Sequence, residues 1–325
     1  MKVAVVGAGA IGGYVGASLS QGGEDVTFIA RGANLAAIQS AGMRVTLEEG
    51  REIVARCAAF GACAEAGVQD VVFLTVKAHQ VAALAPDLRH LCGDDTTIVT
   101  MQNGIPWWYF HGHGGALENT SLESVDPGGA TGASIDARRL IGSVVYPAAS
   151  LVAPGVVKVI EGRRFTLGEL DGSQSPRLER ITGRMTAAGL KAPATNDIRG
   201  EIWLKLWGNA VFNPISALTR ATLEGIARFA PTRELAGNCM REIEAVANAL
   251  GITFRVTMER RIAGAESVGA HKTSMLQDLE AGKPLEIEAL TGAVVELGRL
   301  TGKPTPHLDA IYAAVKLLAQ TSGLA

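Results

Sequence analysis

The sequence predicts an α/β protein built from two domains, and three observations carry that prediction. Short apolar runs alternate with helical patterns in the first part of the chain, a glycine-rich turn follows the first run, and strand signals nearly vanish after about residue 196. A chain of 325 residues is long enough for two domains of ordinary size. We therefore expect an α/β domain over residues 1–196 and an all-helical domain over residues 197–325.

Continuous apolar runs in the first part predict buried strands at residues 3–6, 25–30, 70–76 and 97–101. Runs of this kind are typical of a parallel sheet covered by helices on both faces. From residue 140 on, three shorter β runs broken by Pro and Gly (SVVYPAAS, GVVKVI and RRFTLGEL) predict an antiparallel meander that closes the sheet. The second part reads as helices at 198–218, 231–250, 256–280, 284–301 and 305–320.

Composition and charge argue against several classes of protein. The formal net charge is −2 and no dense basic run is present, so a nucleic-acid partner is not expected. No apolar run approaches the ~18 residues of a membrane span, and the short run at residues 3–6 fits a first strand better than a signal peptide. The four cysteines lack CxxC spacing, so we expect reduced thiols in a cytoplasmic protein.

A GxGxxG motif, GAGAIG at residues 7–12, lies between the first strand and a helix that runs to about residue 21. The first glycine of such a motif makes a tight turn, the second lets a pyrophosphate approach the backbone, and the third allows close helix–strand packing. A merely structural turn is the alternative, but the setting favours a Rossmann-type dinucleotide-binding domain. We expect the cofactor to contact Gly7, Gly9, Ala10, Ile11 and Gly12.

Three further polar residues directly follow predicted strands. Arg31 ends the second strand, where NAD enzymes usually carry an acidic residue, and a guanidinium there suits the 2′-phosphate of NADP(H). Lys77 and Asn103 also follow strands, and ligands of open α/β sheets bind outside the carboxyl ends of the strands. We expect Lys77 to contact the cofactor and Asn103 to contact the nicotinamide side or the substrate. A solvated arginine, a solvated lysine and an Asn-Gly turn are the alternatives.

Lys205, Asn209 and Asn213 lie four residues apart in the otherwise apolar segment EIWLKLWGNAVFNPISAL. Four residues rotate a helix by about 400°, so the three side chains share one face. A polar group buried without a partner costs roughly 2–7 kcal/mol. The row therefore faces either water, as in a plain amphipathic helix, or other polar groups in a cleft, and the narrowness of the stripe favours the second.

The segment SMLQDLEAGKPLEIE carries a second set of polar residues, which begins with Ser274. Pro284 suits the first position of a new helix, which would place Glu286 in its first turn. The helix dipole keeps a carboxylate ionised at that place. Glu288 would serve equally well, so spacing alone leaves the choice between the two glutamates open.

Five segments (GAGAIG, TVKAHQ, QNG, EIWLKLWGNAVFNP and SMLQDLEAGKPLEIE) occur in this order and resemble the ketopantoate reductase (2-dehydropantoate 2-reductase) family over nearly the whole chain. The two C-terminal segments are far more specific than the glycine motif. The resemblance implies an NADP(H)-dependent oxidoreductase that reduces ketopantoate to pantoate in pantothenate and coenzyme A biosynthesis.

The resemblance also implies roles for individual residues. Lys205 falls on the family's catalytic acid, and Glu286, rather than Glu288, falls on the glutamate that contacts the substrate hydroxyl. The other positions that the family uses are Asn209, Asn213 and Ser274 at the substrate, and Arg31, Lys77 and Asn103 after the strands.

Two features depart from the family pattern. Residues 214–237 contain no asparagine, although some members carry a further substrate asparagine there. Residues 105–129 form a long loop with four consecutive aromatics, for which a lid, an oligomer contact and a hydrophobic cover of the sheet edge are the alternatives. His111 and His113 have no third ligand nearby, so no metal site is predicted. A paralogous reductase of another 2-oxo acid, a non-catalytic NADP(H)-binding protein and a homodimer stay open.

Overall fold

The computed structural model describes residues 1–324 and divides into two compact units. The first unit contains residues 1–102, 108–121 and 128–198. The second contains residues 103–107 and 122–127 together with the described chain from residue 199 on. Two short segments from the first part of the sequence thus belong to the second unit, and the boundary between residues 196 and 197 stays a prediction.

The strands belong to the first unit and form two sheets. In chain order they are β1 (Lys2–Val6), β2 (Asp25–Ile29), β3 (Met43–Thr46), β4 (Glu52–Ala55), β5 (Ala58–Phe60), β6 (Gln69–Leu74), β7 (Cys92–Thr100), β8 (Leu140–Val145), β9 (Ala148–Ala153), β10 (Val156–Glu161) and β11 (Phe165–Glu169). The larger sheet has the order β11-β8-β7-β6-β1-β2-β5, and its neighbours run parallel except β11, which is antiparallel to β8. Residues 3–6 and 71–74 are at most 1% exposed. The prediction of a parallel sheet buried on both faces is confirmed.

The smaller sheet has the order β4-β3-β10-β9 and corrects the predicted meander. Strands β8 and β11 stay in the larger sheet, whereas β9 and β10 pair with each other and β10 then runs parallel to β3. The prediction was wrong about pairing because Pro147 interrupts the run after β8, and the chain leaves the larger sheet there. Strands β3, β4 and β5 were not predicted.

The helices of the first unit are α1 (Ala10–Gln21), α2 (Gly32–Ala41), α3 (Cys63–Ala66), α4 (Ala78–Leu84), α5 (Ala130–Ser134) and α6 (Pro176–Ala187). Helix α1 packs closely on the smaller sheet. A Cβ added at Gly13 of this helix would lie 2.8 Å from Val157 and 2.9 Å from Met43. The absence of a side chain at residue 13 therefore lets the cofactor-side helix approach β3 and β10.

Three of the four consecutive aromatics belong to the core of the first unit. Trp108, Tyr109 and Phe110 are 3%, 0% and 1% exposed. The indole Nε1 of Trp108 donates to Thr100 Oγ1 at 3.0 Å, and the ring lies against Gly142 of β8. Trp108 therefore covers the sheet at β7 and β8, in agreement with the alternative of a hydrophobic cover, and the role of the whole loop stays a prediction.

The second unit is helical. Its helices are α7 (Ile198–Thr219), whose first residue still belongs to the first unit, α8 (Leu223–Arg228), α9 (Ala230–Ala249), α10 (Met258–Ser267), α11 (Ser274–Glu280), α12 (Ala293–Leu300) and α13 (Pro306–Thr321). The helix predicted over 256–280 is split in two, because residues 268–273 leave helical conformation. Within residues 1–324, no helix combines the length and the apolar character needed to cross a membrane.

Candidate active site

The glycine turn between β1 and α1 has the geometry that its motif predicts. Gly7 has a φ of +103°, which a residue with a side chain rarely adopts. A Cβ at Gly12 would lie 2.1 Å from the carbonyl oxygen of Gly7, whereas a Cβ at Gly9 would meet nothing within 4 Å. Gly9 is also the N-cap of α1 and no side chain caps that end. The backbone at Gly9 is therefore open at a helix N-terminus, where a phosphate group of a dinucleotide fits.

Two polar side chains that the motif did not reveal brace this turn. Thr75 Oγ1 donates to the carbonyl oxygens of Val6 at 3.0 Å and Gly7 at 2.7 Å. Asn34 Nδ2 donates to the carbonyl oxygen of Ala8 at 2.6 Å, and its Oδ1 accepts from the backbone amide of Gly155 at 2.7 Å. The strand-end reasoning that selected Arg31 and Lys77 missed both, because Thr75 fell inside the strand predicted over residues 70–76 and Asn34 lies within α2.

Arg31 and Lys77 lie at the same edge of the larger sheet as the glycine turn. Arg31 follows β2 and is exposed, and Lys77 follows β6 and is half-buried. Strands β2 and β6 flank β1 and run parallel to it, so their carboxyl ends share one sheet edge. Arg31 directly precedes α2 and Lys77 directly precedes α4. The structure thus places both predicted cofactor residues beside the turn that fits the dinucleotide.

Within the second unit, Lys205 of α7 is held by Asn103. Its Nζ donates to Asn103 Oδ1 at 2.5 Å. Burial lowers the pKa of Lys205 to about 8, the negative charge of Glu286 opposes that shift, and the positive charge of Arg261 adds to it. The residue as a whole is only half-buried, but the pKa depends on the ammonium, which protein atoms surround. The structure therefore brings together three predicted site residues.

The opposite side of α7 fixes the direction in which Lys205 points. Trp203 and Trp207 are fully buried there. Trp207 Nε1 donates to the carbonyl oxygen of Met240 at 2.8 Å, and its ring stacks on Phe254 at a centroid distance of 3.9 Å. Two fully buried aromatics, of which Trp207 has fixed partners, leave the helix little freedom to rotate about its axis. The polar row is consequently held away from the core of the unit.

Pro214 lies inside α7 and links this helix to the next part of the site. A proline has no N–H, so the carbonyl oxygen of Ala210 lacks the donor that a regular helix would provide. Thr291 Oγ1 donates to that carbonyl oxygen at 3.2 Å. Thr291 belongs to a π-helical turn, Glu288–Gly292, that precedes α12. The sequence Asn-Pro thus creates an acceptor that anchors the π-helical turn.

Asn209, Asn213 and Ser274 extend the site along α7. Asn213 is 5% exposed, and its Nδ2 lies 3.4 Å from Ser274 Oγ at the first residue of α11. Asn209 lies between Lys205 and Asn213 on the helix and is half-buried. Ser274 is exposed. Exposure therefore varies along the predicted row: Asn213 is buried against α11, whereas Asn209 is open enough to contact a ligand.

The structure distinguishes Glu286 from Glu288. The predicted helix start at Pro284 was wrong, because residues 283–287 are not helical and the π-helical turn begins at Glu288. The carboxylate of Glu288 accepts from Tyr312 OH at 2.7 Å and pairs with Lys316 at 2.8 Å. Glu286, in the non-helical segment before the turn, is the carboxylate whose charge acts on Lys205.

The Asn-Gly pair after β7 is fixed against the same π-helical turn. Gly104 has a φ of +85°, and a Cβ there would lie 2.1 Å from the carbonyl oxygen of Ala289. The backbone amide of Ile105 donates to that carbonyl oxygen at 2.8 Å. Because Asn103 adjoins this contact, the π-helical turn also sets the position of the amide that holds Lys205. Single-turn π-helices occur frequently at functional sites.

Comparison with known proteins assigns the family. Residues 3–172 match the family described as ketopantoate reductase PanE/ApbA, and residues 197–319 match its C-terminal part. The chain belongs to the ketopantoate reductase family. A 2-dehydropantoate 2-reductase of Mesorhizobium japonicum is 52% identical over 99% of this chain and 99% of its own length.

Solved structures of similar chains agree with the fold. A Ralstonia solanacearum protein is 40% identical, with a TM-score of 0.95 over 100% of this chain and 99% of its own. The 2-dehydropantoate 2-reductase of Methylococcus capsulatus is 28% identical, with a TM-score of 0.83 over 100% of this chain and 99% of its own. A ketopantoate reductase fold therefore carries the site described above.

Sequence reasoning missed one charged residue near Lys205, which is Arg261. Arg261 lies on α10, and its guanidinium lies against Gly208 of α7. No motif quoted above contains Arg261, and 53 residues separate it from Gly208. Its proximity to Lys205 follows only from the packing of α10 on α7.

Proposed function

We propose that this protein reduces ketopantoate (2-dehydropantoate) to pantoate with NADPH. The observation that carries the proposal is the Lys205 ammonium, which Asn103 holds and whose pKa burial lowers to about 8. A buried ammonium next to a carboxylate is suited to give a proton to a developing alkoxide near neutral pH. The relatives named 2-dehydropantoate 2-reductase support the choice of substrate.

The chain's own residues divide the work as follows. The glycine turn and Arg31 hold the pyrophosphate and the 2′-phosphate of NADP(H), and Lys77 contacts the same cofactor. Bound NADPH supplies the hydride that reaches the keto carbon. Lys205 gives its proton to the keto oxygen, so that a 2-hydroxy acid results, and Glu286 accepts a hydrogen bond from the substrate hydroxyl. The amide and hydroxyl groups that orient the substrate are those of Asn209, Asn213 and Ser274.

The test is the oxidation of NADPH by the purified protein with ketopantoate, followed at 340 nm. Lys205→Ala should lower kcat by about 10²–10⁴-fold, the usual contribution of a positioned general acid, and should leave NADPH affinity nearly unchanged. Lys303→Ala is the matched control, because Lys303 is an exposed lysine of the same unit and should keep normal turnover. Near-normal turnover by Lys205→Ala would contradict the proposal.

A second candidate is a reductase of another branched or bulkier 2-oxo acid. The absence of asparagine between residues 214 and 237 favours testing it, because part of the family's substrate contact is then missing. A panel of 2-oxo acids decides between the two: a kcat/KM for ketopantoate no higher than for its analogues would select the second candidate. A cytoplasmic location and a homodimer complete the proposal, and the dimer is checked by the molar mass in light scattering.

A further inference from the structure

The guanidinium of Arg261 lies so close to Gly208 of α7 that a side chain at residue 208 would require it to move. A Cβ at residue 208 would lie 2.9 Å from Nη2 and 3.3 Å from Nε of Arg261. A glycine within a helix costs roughly 0.5–1 kcal/mol relative to alanine. Helix α7 therefore gives up stability at the point where the guanidinium of Arg261 needs room. Gly208 is followed directly by Asn209 of the predicted substrate row.

Two charged side chains act on the Lys205 ammonium. The carboxylate of Glu286 favours its charged form, and the guanidinium of Arg261 disfavours it. Two like charges that act on each other repel. A substrate anion bound between Lys205 and Arg261 would lessen that repulsion.

A 2-oxo acid is an anion with the matching geometry. Its carboxylate is bonded directly to the keto carbon, so a group that binds the carboxylate must lie close to the group that protonates the keto oxygen. Residues 205 and 208 are three apart on a helix and are neighbours on its surface. The side chain of Lys205 and the guanidinium against Gly208 therefore satisfy this requirement.

We propose that Arg261 binds the carboxylate of the 2-oxo acid substrate and makes the site selective for anionic substrates. The inference rests on the proposed function and extends it. A guanidinium offers parallel N–H donors that match the two oxygens of a carboxylate, which an ammonium does not. The predicted substrate residues Asn209, Asn213 and Ser274 are neutral, so Arg261 supplies the counter-charge that this set lacks.

The experiment compares a 2-oxo acid with its primary amide, which keeps the keto group and loses the charge. With ketopantoate or the best acid of the panel, Arg261→Ala should lower kcat/KM by about 10- to 100-fold, the range for losing a hydrogen bond between charged groups. With the amide, kcat/KM should change by less than about twofold. With the acid, the kcat/KM of Arg261→Lys should lie between those of the wild type and Arg261→Ala, since lysine keeps the positive charge but lacks the parallel N–H donors of a guanidinium. Arg260→Ala is the matched control, because it removes an exposed arginine from the same helix and should leave both substrates unaffected.

Gly208→Ala provides a variant that keeps every charge. The added Cβ should displace the guanidinium, so the loss should again be larger for the acid than for the amide. The pH profile gives a readout that a merely structural role would not move. Because the Arg261 charge lowers the pKa of Lys205, Arg261→Ala should shift the alkaline fall in kcat/KM to higher pH.

An equal loss for acid and amide, or no loss for the acid, would overturn the role of Arg261 while the proposed function stands. If Arg261→Ala does not fold, Arg261→Lys and Gly208→Ala decide by the same criterion. Absence of NADPH oxidation by the wild-type protein would instead contradict the proposed function. In that case a thermal-shift measurement tests the role of Arg261. The acid but not the amide should raise the melting temperature of the wild type. A rise of the same size with the acid in Arg261→Lys would refute the inference.

Discussion

The pH dependence of reduction tests whether Lys205 acts as the proton donor. The proton that reaches the keto oxygen must come from the protonated form of the lysine. With a pKa of about 8, the ammonium form amounts to about nine-tenths of the protein at pH 7 and about one-tenth at pH 9. The reduction rate should therefore be level below pH 7 and should fall about tenfold between pH 7 and pH 9.

Glu286→Gln perturbs this titration in a defined direction. The carboxylate favours the ammonium form of Lys205, so its removal lowers the pKa of the lysine. The alkaline fall in kcat/KM should move to lower pH, opposite to the shift expected for Arg261→Ala. The variant should also lose kcat/KM at its optimum, because the hydrogen bond to the substrate hydroxyl loses its charge.

The assay is the initial rate of NADPH oxidation at 340 nm, with saturating NADPH and several ketopantoate concentrations, from pH 6 to pH 10. In the reverse direction, with pantoate and NADP⁺, the rate should rise through the same pH range, because the neutral amine must then accept the proton. Lys205→Arg should show no alkaline fall in its residual rate, since an arginine stays charged throughout. A wild-type profile that is level up to pH 10 would refute the assignment of Lys205 as proton donor.

Two further predictions concern the supports of the site. Gly9→Ala should keep the wild-type melting temperature and should weaken NADPH binding, measured by nucleotide fluorescence. Gly12→Ala should lower the melting temperature, because its Cβ would lie 2.1 Å from a backbone carbonyl oxygen. Equal melting temperatures of the two variants would contradict this prediction. Thr291→Val should cost roughly 1–3 kcal/mol in urea unfolding by leaving the buried carbonyl of Ala210 without that donor. Adding Pro214→Ala restores an N–H at the missing position and should recover part of that loss, and strictly additive effects would argue against the link.

The parallel sheet and the glycine turn could be predicted because their signals are local. A strand buried on both faces shows as a continuous apolar run. Gly7 and Gly12 are required by close contacts at the turn, and Gly9 leaves the backbone open at the start of α1. The pairing of β9 and β10 could not be predicted in the same way. Strand β3, with which β10 pairs, lies more than a hundred residues earlier, and short β runs carry no information about which sheet they join.

Helical spacing and family resemblance predicted the residues of the site but not the contacts between them. The row on α7 follows from a period of four, but the hydrogen bond between Lys205 and Asn103 joins residues 102 positions apart. The start of the helix near Glu286 was missed because Pro284 suits a helical first turn, and the π-helical turn that replaces it depends on Thr291 and the carbonyl left by Pro214. Such contacts arise from packing, which no single segment of the sequence encodes.

The function proposed for Lys205 depends on the burial of its ammonium. On a helix face turned to water, Lys205 would keep a pKa near the ordinary lysine value of 10.5 and would be a weaker acid. Burial removes solvent from the ammonium and brings its pKa to about 8. Glu286 prevents a further fall, so the lysine remains mostly charged at pH 7 while its proton is easily given up. A buried position within reach of a carboxylate's charge is therefore the environment that this proton donor requires.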